Sequence, residues 1–347
     1  SALSDTVVGA PLGQRQSGLM LGIPPPELGN VQGPVHARLD SVFEEIRRIV
    51  VADFPAMSEV NDYLLQLRGK LFRPTLLLLC NEVGGRPNPD AEVLAAVVEL
   101  VHLATLVHDD AVDHSVKRRG MPTVNALWSH QVAIIMGDYL YSRSITEITR
   151  IGQIEPIRVL ANAANEMTLG EMRQLSAHDA LSFSEDDYFR LIDCKTASLI
   201  AAACDLGALS GEPSFREPLA RFGRELGMGF QIADDLLDYT AAASQTGKPA
   251  GLDLREHKVT LPLIACLAEL PTSERARVEE LFRDPQPTEE QVAVVVALVR
   301  ARGGLDYARE RALEYAARAG EALKGLPESP ALDALRLSIT YAIERRR

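Results

Sequence analysis

Two short acidic runs set the chemistry open to this sequence. Asp109, Asp110 and Asp113 form the pattern DDxxD at the end of "ELVHLATLVHDDAVD", and Asp234, Asp235 and Asp238 repeat it in "GFQIADDLLDY". On a helix, residues four apart stand one above the other, so Asp109 with Asp113, and Asp234 with Asp238, each offer oxygens to one side. Like charges stacked in this way repel, and hard oxygen donors without cysteine or clustered histidine select magnesium as the compensating cation. One DDxxD alone reads equally well as a solvated helix end. Two copies, each following an apolar helical stretch, fit two helices that face each other across a cavity with both carboxylate sets at one rim. Magnesium held by few protein ligands keeps positions that substrate phosphates fill, which points to a diphosphate. Metal ions and cations around a diphosphate stabilise the charge that develops as it leaves, so a carbon–oxygen bond can ionise without a protein nucleophile. The organic part of such a substrate then lies in the apolar channel below.

The elements that must position these carboxylates read as helices. The 347 residues are 46% hydrophobic but only 5% aromatic, which gives a large aliphatic core. Helical patterns follow one another over roughly 36–50, 58–84, 91–114, 124–150, 156–179, 185–210, 214–242, 258–269, 273–283, 288–302, 304–324 and 330–345, with almost no strand. Separators such as "GGRPNPD", "SGEPS" and "DPQPTEE" stop one helix and start the next. The expectation is an all-α, single-domain helical bundle over 36–347. Residues 1–35, with "GIPPPELGNVQGP", read as a poorly ordered extension. The segment 91–114 is apolar on nearly every side and belongs at the centre of the bundle.

A formal net charge of -12 excludes a nucleic-acid binder, which needs basic stripes to displace counterions. Cys80, Cys194, Cys204 and Cys266 lack metal-ligand spacing, so neither a zinc site nor a disulfide framework is expected, and a cytoplasmic location fits. The start of the chain carries no secretory signal pattern. The apolar run from Ala91 to Val107 is interrupted by Glu99 and His102, which favours a helix buried in protein over stable membrane insertion.

From about residue 40 onward the chain resembles the trans-isoprenyl diphosphate synthases, the polyprenyl synthetase family. The resemblance rests on "GKLFRP", "ELVHLATLVHDDAVD", "RRG", "GDYLY", "GEMRQL", "KTASL", "GFQIADDLLDY" and "GKPAGLDLREHKVTLPL", all in family order. It implies an isoprenoid synthase bundle around a central apolar cavity, with three magnesium ions per active site. Asp109, Asp113 and Asp234 would be the principal metal ligands, and Asp110, Asp235 and Asp238 would complete the acidic rims. Arg118, Lys195 and Lys248 would hold the allylic diphosphate, and Lys70, Arg73, His102 and Arg119 the isopentenyl diphosphate. Lys258 would lie near the leaving group, and Thr196 and Gln231 would turn oxygens toward the allylic cation. Without the resemblance these residues are weaker signals. His102 lies seven residues before Asp109, within about 20° of the same helical face, yet a lone histidine there also reads as a satisfied core residue. Lys70 with Arg73 on one helical face, and Arg118 with Arg119, also read as ordinary surface cations. Arg345 to Arg347 read as a frayed solvated tail.

The implied reaction is ionisation of the allylic substrate, condensation with isopentenyl diphosphate, and loss of a proton to the released pyrophosphate. One departure stands out. The family carries Gly-Gly-Lys-Arg-x-Arg-Pro where this chain has Arg68, Gly69, Lys70, Leu71, Phe72, Arg73 and Pro74. Farnesyl-making relatives block the channel with aromatics four or five residues before the first Asp; here those positions are Thr105 and Ala104, with Val101 a turn deeper. In this respect the segment is similar to octaprenyl and other medium-to-long-chain synthases, against the alternative that another helix stops growth at geranylgeranyl. A class I terpene cyclase and a non-catalytic partner subunit are the competing readings; cyclases replace the second DDxxD and lack the isopentenyl diphosphate cations, and partner subunits lose one acidic run. The resemblance also implies a homodimer.

Overall fold

Helices account for most of the described residues in the computed structural model, which describes residues 26–67, 69–177, 179–240 and 250–344. The candidate Lys248 and the tail Arg345 to Arg347 lie outside the described residues, as do residues 1–25. In order, the helices are α1 (Leu28–Gln32), α2 (His36–Val50), α3 (Pro55–Gln66), α4 (Phe72–Glu82), α5 (Asp90–Val112), α6 (Val124–Leu127), α7 (His130–Thr149), α8 (Ile154–Leu175), α9 (Glu185–Ile192), α10 (Ser198–Leu209), α11 (Arg216–Thr240), α12 (Leu252–Arg255), α13 (Leu261–Leu267), α14 (Thr272–Arg283), α15 (Glu289–Ala301), α16 (Gly304–Ala322) and α17 (Pro330–Glu344). One two-stranded ribbon, β1 (Lys117–Arg118) and β2 (Met121–Pro122), pairs antiparallel.

Several boundaries differ from the sequence expectation, each for a local reason. The ordered fold begins before residue 36: α1 and a following 3-10 turn reach Val35, and Val31 and Val35 are buried in the core. The helix expected over 58–84 is two helices, because Leu71 adopts a left-handed φ of 58° that a right-handed helix cannot continue through. Lys70 therefore sits in a loop and does not share a helical face with Arg73. The helix expected over 124–150 restarts at Ser129, whose hydroxyl accepts from the Val132 amide at 3.1 Å and caps α7. The span 185–210 keeps helical winding throughout but widens to a π turn over Asp193–Ala197.

Helix α5 stands at the centre, packed against α2, α4, α7 and α10. It is long and apolar enough to cross a membrane by composition, yet two thirds of its most apolar window is covered by protein. That cover comes from the neighbouring helices, so its apolar surface is already buried. Helix α11, which carries the second acidic run, lies between α10 and α16. A smaller core joins Tyr239 at the end of α11 to Leu254 of α12 and to Leu263, Val278 and Val295 beyond, which anchors the segment after the second acidic run.

Close approach of α11 to the π turn requires Gly227. A Cβ built there would stand 2.7 Å from the Cα of Ala197, beside Lys195 and Thr196. Because neither backbone can yield freely, Gly227→Val should cost about 1–3 kcal/mol in stability. Urea unfolding checks this, and an unchanged midpoint would show that the contact is slack.

Candidate active site

The first acidic run occupies the last turn of α5. Asp109 and Asp110 are helical, and Asp113 is the C-cap, its amide donating to the Asp109 carbonyl at 2.8 Å. Asp110 is 7% exposed and spends both oxygens on Arg118, at 2.7 Å from Nε and 2.8 Å from Nη2. This bidentate pair exists because the β1–β2 hairpin turns back on α5. The turn residues Arg119 and Gly120 both take positive φ, at 50° and 76°, the geometry of a tight two-residue hairpin. One residue on, the Arg119 Nη1 donates to the Leu67 carbonyl at 2.6 Å, and its guanidinium lies so close to Gly69 that a Cβ there would be 2.9 Å from Nη2. A side chain at the glycine of "GKLFRP" would displace the guanidinium of the second arginine of "RRG".

Beyond that loop, Arg73 in the first turn of α4 meets the imidazole of His102 on α5, Nη1 to Nε2, at 3.3 Å. Glu99, one turn earlier on α5 and 7% exposed, is in electrostatic reach of Arg73 and Arg119. Burial raises its carboxyl and the two arginines pull it back down. Lys70, three residues before Arg73 in the chain, is exposed. Arg73, His102 and Arg119 are therefore brought together as the sequence suggests.

The π turn presents Lys195 and Thr196. The Lys195 ammonium makes an ion pair with Glu171 at 2.6 Å and donates to the Gln174 Oε1 at 3.0 Å, both on the inner face of α8. The Thr196 hydroxyl donates to Gln231 Oε1 at 2.8 Å, and Gln231 Nε2 donates to Asp235 Oδ1 at 2.9 Å. The other oxygen of Asp235 accepts from the hydroxyl of Tyr188, a fully buried residue of α9. Asp238 is committed as well: its two oxygens accept from the amides of Leu252 at 3.2 Å and Asp253 at 3.1 Å, which fixes the start of α12. Asp110, Asp235 and Asp238 thus each give both oxygens to protein donors. Among the described residues no group of three or more His, Cys, Asp or Glu side chains converges as a ready-made metal cage.

Electrostatics bind these pieces into one site. Burial and the neighbouring charges of Glu171 and Asp113 push Asp109 up to about 7, against the opposing pull of Lys195 and Arg118. Burial, Asp234 and Asp238 push Asp235 up to about 7, while its hydrogen bonds from Tyr188 and Gln231 act the other way. Asp253 goes to about 8 through burial and the charges of Asp238, Asp235 and Asp234. Lys258 is 2.9 Å from Glu256. Burial lowers its affinity for a proton, but Glu256, Asp253 and Asp113 outweigh this and raise it. Lys258 therefore lies within electrostatic reach of Asp113 in the first acidic run and of Asp253, a neighbour of the second.

Of the three positions expected to measure chain length, Thr105 is partly exposed, whereas Ala104 and Val101 are 3% and 1% exposed. Sequence reasoning missed Glu171, Gln174, Tyr188, Glu99 and Asp253. The spacing of three in "GEMRQL" was a usable signal for Glu171 and Gln174 on one helical face. Tyr188 gave none, since its partner is 47 residues away.

Residues 54–299 match the polyprenyl synthetase family. The chain is 37% identical over 318 residues to the all-trans-nonaprenyl-diphosphate synthase (geranyl-diphosphate specific) of Rhodobacter capsulatus, covering 91% of this chain and 97% of that relative. Its fold is similar to the crystal structure of polyprenyl synthase from Caulobacter crescentus complexed with calcium and isoprenyl diphosphate. The TM-score there is 0.87 at 32% identity, covering 92% of this chain and 98% of that one. A decaprenyl diphosphate synthase from Rhodobacter capsulatus gives a TM-score of 0.85 at 35% identity, covering 91% and 98%. With matches that run along most of its length, the chain belongs to the polyprenyl synthetase family.

Proposed function

We propose that this prenyltransferase condenses isopentenyl diphosphate with an allylic diphosphate to make an all-trans polyprenyl diphosphate longer than geranylgeranyl, with magnesium as its cation. The observation that carries the reading is Lys258, a cation in reach of Asp113 in the first acidic run and of Asp253 beside the second. A site with both acidic runs on one mouth, and cations between them, fits a diphosphate held from two sides.

The donor set fits magnesium: every candidate ligand is a carboxylate oxygen. Asp109, Asp113 and Asp234 would hold the ions. When bound, magnesium neutralises charge on the departing diphosphate. The hard cation calcium in the Caulobacter structure has the same oxygen preference. Arg118 and Lys195 hold the allylic diphosphate, exchanging Asp110 and Glu171 for phosphate oxygens. Arg73, Arg119, His102 and Lys70 hold isopentenyl diphosphate. The oxygens of Thr196 and Gln231 face the carbon that becomes positive, and the released pyrophosphate takes the proton lost after condensation.

Two further parts of the reading have structural support. A homodimer would cover the exposed apolar residues Ile134 and Ile135 on α7 and Leu169, Met172 and Leu175 on α8, two antiparallel helices whose other faces line the core. Work in the cytoplasm agrees with Cys80, Cys194, Cys204 and Cys266 all being free thiols.

The decisive assay is incubation with magnesium, labelled isopentenyl diphosphate and farnesyl diphosphate, followed by chromatography of the dephosphorylated product. We expect pyrophosphate release and an alcohol longer than geranylgeraniol. Absence of pyrophosphate contradicts the activity, and arrest at geranylgeraniol contradicts the length. Thr105 stands one turn before Asp109, about 5.4 Å deeper along α5. Thr105→Phe should shorten the product by at least one isoprene unit in the same chromatogram, and an unchanged length would place the floor on another helix.

His102 makes the site acid-sensitive. Burial, then the charges of Arg73, Arg119 and Arg118, hold its pKa well below the ordinary value, so it is neutral in the folded protein. The unfolded chain then takes up the proton first as pH falls. The contribution is complete above about pH 6.5 and is lost below it, by at most about 1.4 kcal/mol per pH unit. His102→Gln should reduce the loss of stability between pH 7 and pH 5.5 in urea titrations, and an equal loss in both proteins would assign the acid sensitivity elsewhere.

A further inference from the structure

Tyr188 has no place in the acidic runs or the cation set, yet it is 1% exposed and aims its hydroxyl at Asp235. It packs in an apolar cluster with Ile192, Ala197, Met228 and Ile232, where a phenylalanine would fit equally well by shape. Its hydroxyl is therefore the feature that needs a reason. A phenol with an ordinary pKa of about 10 is a donor at neutral pH.

The consequence runs along a chain of hydrogen bonds. Asp235 receives the amide nitrogen of Gln231 on one oxygen, at 2.9 Å, and the Tyr188 hydroxyl on the other. The amide oxygen is thereby turned the other way, to Thr196 at 2.8 Å. The Thr196 hydroxyl then spends its single proton on that oxygen, and what remains on both groups is lone pairs. Without the second donor from Tyr188, Asp235 is held at one oxygen only and can swing away from Gln231, whose amide is then able to flip and present N–H.

We propose that Tyr188 is a positioning residue which, through Asp235, locks the amide of Gln231 with its oxygen toward Thr196, so that the π turn offers oxygens and not N–H groups to a developing allylic cation. This rests on the synthase reading above and adds to it a division of labour: Asp235 orients Gln231 and does not ligate metal.

Tyr188→Phe tests it. Losing a hydrogen bond to a charged group should lower kcat about tenfold to hundredfold. The KM for farnesyl diphosphate, and the calorimetric Kd for inorganic pyrophosphate with magnesium, should stay within about twofold of wild type. Added to Gln231→Leu, Tyr188→Phe should slow turnover no further, because both act through one amide. Wild-type kcat in Tyr188→Phe, multiplicative losses in the double variant, or a parallel loss of pyrophosphate affinity would each overturn the proposal. Should Tyr188→Phe fail to fold, Asp235→Asn is read in the same way: reduced kcat with pyrophosphate binding retained supports the assignment, and loss of that binding overturns it. Pyrophosphate release by the wild-type protein judges the synthase reading separately.

Discussion

Carboxylates buried close to one another near the ends of α5 and α11 are the constraint on which the rest of this structure depends. Asp109, Asp235 and Asp253 all have proton affinities raised into the neutral range, with burial as the leading cause and neighbouring carboxylates adding to it. A protein does not accumulate such repulsion without compensation, and charges held away from water act on one another more strongly than they would at a surface. The cations that answer it come from three separate places: Arg118 on a two-residue hairpin, Lys195 on a π turn, and Lys258 after a short helix that Asp238 caps. Each position departs from regular helix, and each departure brings a cation to the acidic rim.

The resting site is already fully engaged. Arg118 is paired with Asp110, Lys195 with Glu171, and Lys258 with Glu256. In the proposed reading, a diphosphate would exchange one set of charge contacts for another. The two acidic runs are also unequal inside themselves. Asp110, Asp235 and Asp238 serve as anchors for a hairpin, an amide and a helix start.

Much of this was legible in the sequence because it depends on helical periodicity. The central position of the helix ending at Val112 follows from its apolar character on all sides, and the closeness of Asp113 to Asp109 follows from a spacing of four. Breaks that depend on backbone conformation were not legible. Nothing in "RGKLFRP" announces that Leu71 is left-handed, so Lys70 was placed on a helix that it does not join. The π turn at Asp193–Ala197 is invisible to a periodicity of 3.6, since one added residue shifts the face without breaking the helix. Long-range partners such as Tyr188 and Asp235 require the packing of α9 on α11, which no local pattern encodes.

The central claim is that both acidic runs hold one diphosphate through metal. A crystal structure grown with manganese and inorganic pyrophosphate, with the ions located by their anomalous signal, tests it most directly. The account predicts a pyrophosphate bridged by metal to Asp109 and Asp113 on one side and to Asp234 on the other, with Arg118 and Lys195 turned from their carboxylate partners to its oxygens. Pyrophosphate bound to a single acidic run, with the other run holding neither ion nor ligand, would contradict it.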